Sequence, residues 1–374
     1  MLDELVINNF SVFKQARFEF GRGLNVLIGD NGTGKTHVLK LGYLFCRAWP
    51  GLMQNKLRLD KQRAESYIEE RLAGLFRVGD LAHLISSGHK NGATVSARVV
   101  GRIPTVQIRM ANESPASAGV EEAMPWAIRL KRLNHEKGQH GGVDVTQFPE
   151  TAAANSFVPR PIFVPSKEIV SLFKGLVGLF ESYREFPLDE TYRDLATALS
   201  VLEPARPSPL MPDLVQGLAH ALGGELRLVD NELVFLREDG SSLESQLMAE
   251  GHRKLALLIY LIRHRVIEPG GAVFWDEPEA NLNPAAVRRI AAALYALAEG
   301  GVQVILATHS LFLLREFEVL ATERPMPEPP RYFALGLSKK GVTVSADTDI
   351  AAINPLVLLD EDLAQSDRYM EAMR

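Results

Sequence analysis

The chain has 374 residues, with 41 Lys and Arg against 46 Asp and Glu, a formal net charge of −5, and 46% hydrophobic and 23% charged residues. These are the proportions of an ordinary soluble globular protein, long enough for one large domain or two, and they exclude a globally basic field for nucleic acid while leaving a local patch open. The one cysteine, Cys46, excludes a disulfide framework and a cysteine-rich zinc site, and in its apolar helical stretch it reads as a small core residue. Met1 does not open a charged-then-apolar leader, and no unbroken apolar run could cross a bilayer, so the expected setting is the cytoplasm with no membrane partner.

In chain order, alternation at Leu5 and Ile7, resumed at Phe10, predicts a strand, and 16–20 a second. Gly21-Arg22-Gly23 is a turn. Residues 24–28 are nearly all apolar, as in a strand buried on both faces. They run into Gly29-Asp30-Asn31-Gly32-Thr33-Gly34-Lys35-Thr36, after which 37–48 has helical apolar spacing. Residues 60–84 read as a charged amphipathic helix, 93–109 and 126–132 as antiparallel strands, and 134–155 as a mobile loop. A short strand at 161–165 ends in Ser166-Lys167-Glu168, followed by helical segments at 169–186 and 189–201 and a linker at 204–212. A hairpin at 224–237 turns at Asp230-Asn231. Then come a helix at 248–264, a buried strand at 272–275, a helix at 284–298 and a buried strand at 303–307. A last helix, a proline-rich loop at 325–330, strands at 332–337 and 342–345 and a short charged tail close the chain, which has no internal repeat.

Gly29 to Thr36 fits G-x-x-x-x-G-K-[ST], and the strand before it and helix after it supply the context that gives the pattern meaning. Glycines let the backbone curl so that several N–H groups, including those at Asn31, Gly32, Thr33 and Gly34, point into one cavity, and the helix adds the positive end of its dipole. Lys35 is expected to reach the β- and γ-phosphates of ATP, and the Thr36 hydroxyl to bind Mg²⁺. The strand at 272–275 ends in Asp276-Glu277. Ligands sit at the carboxyl ends of parallel strands, which places Asp276 near that Mg²⁺. Glu277, one residue on, points elsewhere and is placed to polarise an attacking water as general base. A third strand ends in Thr308-His309-Ser310, putting His309 where it would hydrogen-bond and sense the γ-phosphate.

This set resembles the ABC-type ATPases of the SMC and RecF superfamily. Leu5-Val6-Ile7-Asn8-Asn9-Phe10 is similar to the family's first strand, residues 29–36 to its Walker A loop, and Thr308-His309-Ser310 to its switch histidine. Asp276-Glu277-Pro278-Glu279-Ala280-Asn281-Leu282-Asn283-Pro284 resembles the Walker B and D-loop of the RecF-like and overcoming-lysogenization-defect branch. Two family elements depart from pattern. Met248-Ala249-Glu250-Gly251-His252-Arg253-Lys254 stands at the signature motif, with Ala249 for the usual serine and Glu250 for the first glycine. Gly251 and the helix start remain for ATP held by another subunit, as the resemblance implies. At the Q-loop position, Phe163-Val164-Pro165-Ser166-Lys167-Glu168-Ile169 has no glutamine, and Ser166 or Glu168 either takes its place near Mg²⁺ or simply caps a helix.

The resemblance implies a P-loop α/β core with a parallel sheet, an antiparallel β lobe and an inserted helical lobe. The core is expected from 1–60 plus 215–374, with 61–214 as the insert. Two subunits would sandwich two ATP molecules. The chain lacks the long heptads of a full SMC protein, a zinc hook and room for a Toprim nuclease after the histidine, so a separate effector such as a nuclease or toxin is expected. One reading is the ATPase of an anti-phage defence system, resembling Septu- or PARIS-type modules. The other is a RecF-like DNA clamp, using Arg129-Leu130-Lys131-Arg132 with His135, Lys137 and His140, a stretch that by itself reads more readily as a solvated face. A transporter ATPase is disfavoured by the missing serine and glutamine.

Overall fold

The structure, a computed structural model, describes residues 1–53, 61–86, 92–103, 120–131, 142–147, 159–173, 175–183, 187–200, 212–230, 232–338, 341–354 and 357–373. β1 (Leu2–Phe10) and β2 (Phe13–Glu19) form a tight hairpin whose turn takes Asn9 and Ser11 to positive φ. β3 (Leu24–Gly29) leads through the glycine-rich loop into α1 (Lys35–Met53). The helix expected over 60–84 is shorter: α2 (Lys61–Phe76) stops where Arg77 adopts a φ of 52°, and Asp80 then caps a separate 3₁₀ turn, Leu81–Leu84. β4 (Ala93–Ile103), β5 (Val120–Lys131) and β6 (Gly142–Gln147) follow. Of the loop expected over 134–155, residues 142–147 form β6 instead, whose backbone pairs with β5 from Ala127 to Lys131, so that tertiary pairing outweighs the glycine-rich composition there; the rest of that stretch lies outside the described residues.

After β7 (Ile162–Val164), the helix expected over 169–186 splits into a 3₁₀ turn, Val170–Leu172, and α3 (Leu176–Ser182), with Gly175 at a φ of 79° between them. α4 (Glu190–Leu199) starts on an Asp189 cap. The expected linker falls almost wholly on 201–211, outside the described residues, and its last residue opens α5 (Pro212–Leu222). β8 (Gly224–Val229), β9 (Glu232–Arg237) and β10 (Ser242–Glu244) make a small antiparallel sheet. α6 (Glu250–Arg263), β11 (Ala272–Asp276), α7 (Pro284–Glu299), β12 (Gln303–Thr308), α8 (Leu311–Glu323), β13 (Arg331–Ser338) and β14 (Gly341–Asp347) complete the core. The charged tail is a helix, α9 (Val357–Ala372). Of the basic stretch, Arg129 is exposed on β5, while Arg132, His135, Lys137 and His140 lie outside the described residues.

The central sheet has the order β14-β13-β3-β12-β11-β7, parallel throughout except for β14 at one edge. Every residue of β3, β11 and β12 is buried because successive side chains enter two different cores. Val26, Ile28, Trp275 and Leu306 pack with α6, α7 and α8, while Leu27, Phe274, Ile305 and Phe333 pack with α1 and the second sheet. That second sheet runs β2-β1-β4-β5-β6, so it joins the chain's first strands to the segment expected as an insert, and β7 of that same segment lies in the central sheet. Among the described residues, no helix is long and apolar enough to cross a membrane.

Candidate nucleotide site

The register of the central sheet brings three strand ends to one edge: Thr308 pairs with Ile28, and Asp276 with Ala307. The loop after β3 can curl only because it starts and ends on glycine. Gly29 has a φ of 150°, and a Cβ there would lie 2.3 Å from the Leu335 carbonyl oxygen. Gly34, at a φ of 88°, would put a Cβ 2.6 Å from the Phe13 ring. Thr33 is buried, and its hydroxyl donates to the Asp30 carbonyl at 2.8 Å, whereas Asn31 and Gly32 stand exposed at the crest. The Lys35 ammonium folds back on the loop, donating to the carbonyls of Gly29 at 2.6 Å and Asp30 at 2.9 Å. Burial lowers its pKa, opposed by the carboxylates of Glu277, Asp276 and Asp30.

Thr36, in the first turn of α1, donates its hydroxyl to Asp276 Oδ2 at 2.8 Å. Burial raises the Asp276 carboxyl to about 6, against the Thr36 hydrogen bond, and Glu277 pushes the same way as burial. Hydroxyl and carboxylate in contact, short of counter-charge, suit Mg²⁺, which takes few protein oxygens and completes its shell with water and phosphate. Among the described residues there is no cluster of three or more His, Cys, Asp or Glu that would hold a metal by protein ligands alone.

Glu277 leaves the sheet at a φ of 49°, its N–H held by the Ala307 carbonyl at 2.9 Å. A non-glycine residue in this region of backbone space is strained. His309 Nδ1 lies 3.3 Å from Glu277 Oε1. Ser310 caps α8 by accepting from Leu313 N–H at 3.2 Å, which fixes His309 just ahead of the helix. Lys35, Thr36, Asp276, Glu277 and His309 therefore converge from three strand ends.

Gly251 sits in the first turn of α6 and faces the segment after Glu277: a Cβ there would meet Leu282 at 3.2 Å and Ala286 at 3.4 Å. Ala249, the N-cap of α6, supplies no side-chain cap bond. Glu168 does not stand free for a metal. Its Oε2 pairs with Arg253 Nε at 2.7 Å and its Oε1 accepts from Ser171 N–H at 3.0 Å, so Glu168, rather than Ser166, caps the turn that follows.

Sequence reasoning missed two inward-turned neighbours of the site. Glu279 Oε1 accepts from the Thr308 hydroxyl at 2.6 Å and from His309 N–H at 3.3 Å. Lys254, buried on α6, donates to the Ala280 carbonyl at 2.7 Å. A charged residue inside an otherwise apolar helix face, and a second glutamate two beyond the first, are the traces both leave in the sequence.

Two family models match the chain: an AAA domain described as putative AbiEii toxin, Type IV TA system, over residues 175–315, and an AAA domain over residues 4–40. Among solved structures, an SMC head bound to the C-winged helix domain of ScpA is similar, with a TM-score of 0.54 at 14% identity over 94% of this chain and 98% of that one. The SMC head domain from Thermotoga maritima has a TM-score of 0.47 at 14% identity, over 92% and 98% of the two chains. An Smc head with an extended coiled coil, bound to the C-terminal domain of ScpA derived from Pyrococcus furiosus, has a TM-score of 0.49 at 12% identity, over 100% and 99%. No curated protein matches. The chain thus carries AAA-domain matches over residues 4–40 and 175–315, and it shares the fold of an SMC head, with a phosphate loop and strand-end carboxylates brought to one sheet edge.

Proposed function

We propose that the chain binds ATP with Mg²⁺ and hydrolyses it, and that two copies closing head to tail on nucleotide control a separate effector in bacterial anti-phage defence. The observation that carries the catalytic part is the pairing of Thr36 with Asp276 at 2.8 Å beside Glu277 and His309 at 3.3 Å, on adjacent strand ends. Bound Mg²⁺ would neutralise phosphate charge, held by Thr36 and Asp276. The amides of Asn31, Gly32, Thr33 and Gly34 and the Lys35 ammonium would cradle the phosphates, Lys35 exchanging the two carbonyls it now holds for phosphate oxygens. Glu277 orients and deprotonates the attacking water, and His309 donates to the γ-phosphate. Because Ala249 caps no amide of α6, the first-turn N–H groups at Gly251 remain available to phosphate held by a second copy.

The defence setting draws support from the toxin–antitoxin description of the model over 175–315. Control of a separate protein draws support from the similar SMC head, which was solved with a domain of ScpA bound. Glu277→Gln tests the reading: it should bind ATP, lose at least about 100-fold in turnover and accumulate as an ATP-dependent dimer. Undiminished turnover would remove Glu277 from the mechanism. The tagged protein, recovered from its native host with and without ATP, should retain a nuclease or toxin only with nucleotide. Recovery of DNA without a protein would replace effector control by a DNA clamp.

A further inference from the structure

Glu279 lies three residues beyond Asp276, yet it is turned inward and only 8% exposed. Its Oε1 is fully engaged: the Thr308 hydroxyl donates at 2.6 Å, the His309 N–H at 3.3 Å, and His309 Nδ1 stands 3.9 Å away. Thr308 Oγ1 in turn accepts from Ser310 N–H at 2.9 Å, and Ser310 caps α8. A single carboxylate therefore anchors the whole turn that presents His309. Its Oε2 is buried without a hydrogen-bond partner. Burying a carboxylate is costly, and stability alone would favour an uncharged acceptor here.

The loop that carries Glu279 is pinned at its other side. Lys254 donates to the Ala280 carbonyl at 2.7 Å, and Asn281 Nδ2 donates to Glu250 Oε1 at 3.2 Å, so α6 holds the loop that β12 receives. With Nδ1 of His309 turned toward the carboxylates of Glu277 and Glu279, the opposite ring nitrogen is the one left for nucleotide.

We propose that Glu279 is the positioning residue of His309, fixing from behind the turn and the ring orientation that let the imidazole meet the γ-phosphate. This rests on the ATPase reading above. It acts through His309 and touches no nucleotide itself.

The test is a cycle of full-length variants, Glu279→Ala, His309→Ala and both together, assayed for ATP turnover and for ATP affinity. Glu279→Ala should lower kcat by about tenfold or more with KM within about threefold, and should cost nothing further once His309 is alanine. Glu279→Gln keeps an acceptor for Thr308 and should fall between wild type and Glu279→Ala. Losses that multiply in the double variant, an unchanged kcat, or an effect confined to KM would overturn the proposal. Should Glu279→Ala not fold, Thr308→Val breaks the same anchor from the other side and should reproduce the kcat loss. If the wild type turns over no ATP, the ATPase reading fails. The ¹⁵N ring resonances of His309 then decide: a shift in Glu279→Gln supports the positioning role, and unchanged resonances refute it.

Discussion

At the candidate nucleotide site, ionisable groups stand at strand ends and at the start of α1, and burial works against their charges. Burial raises Asp276 to about 6 and lowers Lys35, whose ammonium rests on two carbonyls. Between α1, α2 and α4, charges on the helices and at the start of α4 hold one another. Arg71 pairs with both Glu190 and Asp194, Asp194 also takes Arg47 at 2.9 Å and the Tyr43 hydroxyl at 2.7 Å, and Lys40 reaches Asp189 at 2.8 Å. Both regions meet on α1, which starts with Lys35 and carries Lys40, Tyr43 and Arg47 further along. The first region is an incomplete electrostatic arrangement, as a ligand site must be. The second is knit together by ion pairs among its own helices, which makes it a joint: it fixes the phosphate-loop helix to α2 and α4.

The contrast breaks most visibly at Asp194. Asp194→Ala leaves the Arg71 guanidinium, whose side chain is 10% exposed, with Glu190 as its remaining carboxylate partner, and should cost about 3 kcal/mol in denaturant unfolding. A loss below about 1 kcal/mol would mean that the joint behaves as a surface ion pair. Asp276→Asn should do the reverse. Its carboxyl is raised from 3.8 to about 6, so the folded state holds the proton more tightly than the unfolded one. Wild-type stability therefore falls as pH rises from about 4 through 6. At pH 7.5 the asparagine variant should be more stable by about 3 kcal/mol without nucleotide, with the gain gone by pH 4 and Mg²⁺-dependent ATP binding lost. Equal melting temperatures at pH 7.5 would show that Asp276 is not held against its charge.

The difference between the regions also decides what the sequence discloses. The site is legible because each part is local: an all-apolar strand, a glycine loop or a carboxylate pair, and one shared sheet edge brings the parts together. The joint is not, since Arg71 and Asp194 are 123 residues apart and each reads alone as a solvated helix charge. For the same reason the division into 1–60 plus 215–374 and 61–214 does not follow the sheets. Pairing of β1 with β4 and of β7 with β11 crosses it, and no local pattern records such a pairing. Glu279 hid in another way: next to Glu277 it looks like one more acidic loop residue, and only its contact with Thr308 separates the two.

His37, one residue after Thr36, sharpens the comparison at the boundary of the two regions. Its ring meets the edges of Phe10 and Phe76, and Nδ1 is buried without a partner. Burial, and then the charge of Lys40, lower its pKa from 6.5 to about 4. The folded state resists protonation between those values, so the stability contributed by neutral His37 is full above pH 6.5 and is lost as pH falls toward 4. His37→Phe should melt increasingly above wild type as pH drops, by about 2 kcal/mol at pH 5. A pH-independent difference between the two would place the sensitivity elsewhere.

The smallest effect concerns two helix starts that meet each other. α7 begins on Asn283, whose side chain accepts from Ala286 N–H at 2.9 Å, with Pro284 in the first turn. α6 begins on Ala249, with φ −62° and ψ 144°, the extended backbone of a cap but no oxygen to cap with. Ala249→Ser supplies that oxygen without moving the chain and should add about 1 kcal/mol, whereas Asn283→Ala should remove a similar amount. The two readouts separate stability from function. If the serine only caps, Tm rises and the dependence of ATP turnover on protein concentration is unchanged. If it also meets phosphate on a second copy, turnover rises and half-maximal activity moves to lower protein concentration, which no change confined to one subunit can produce.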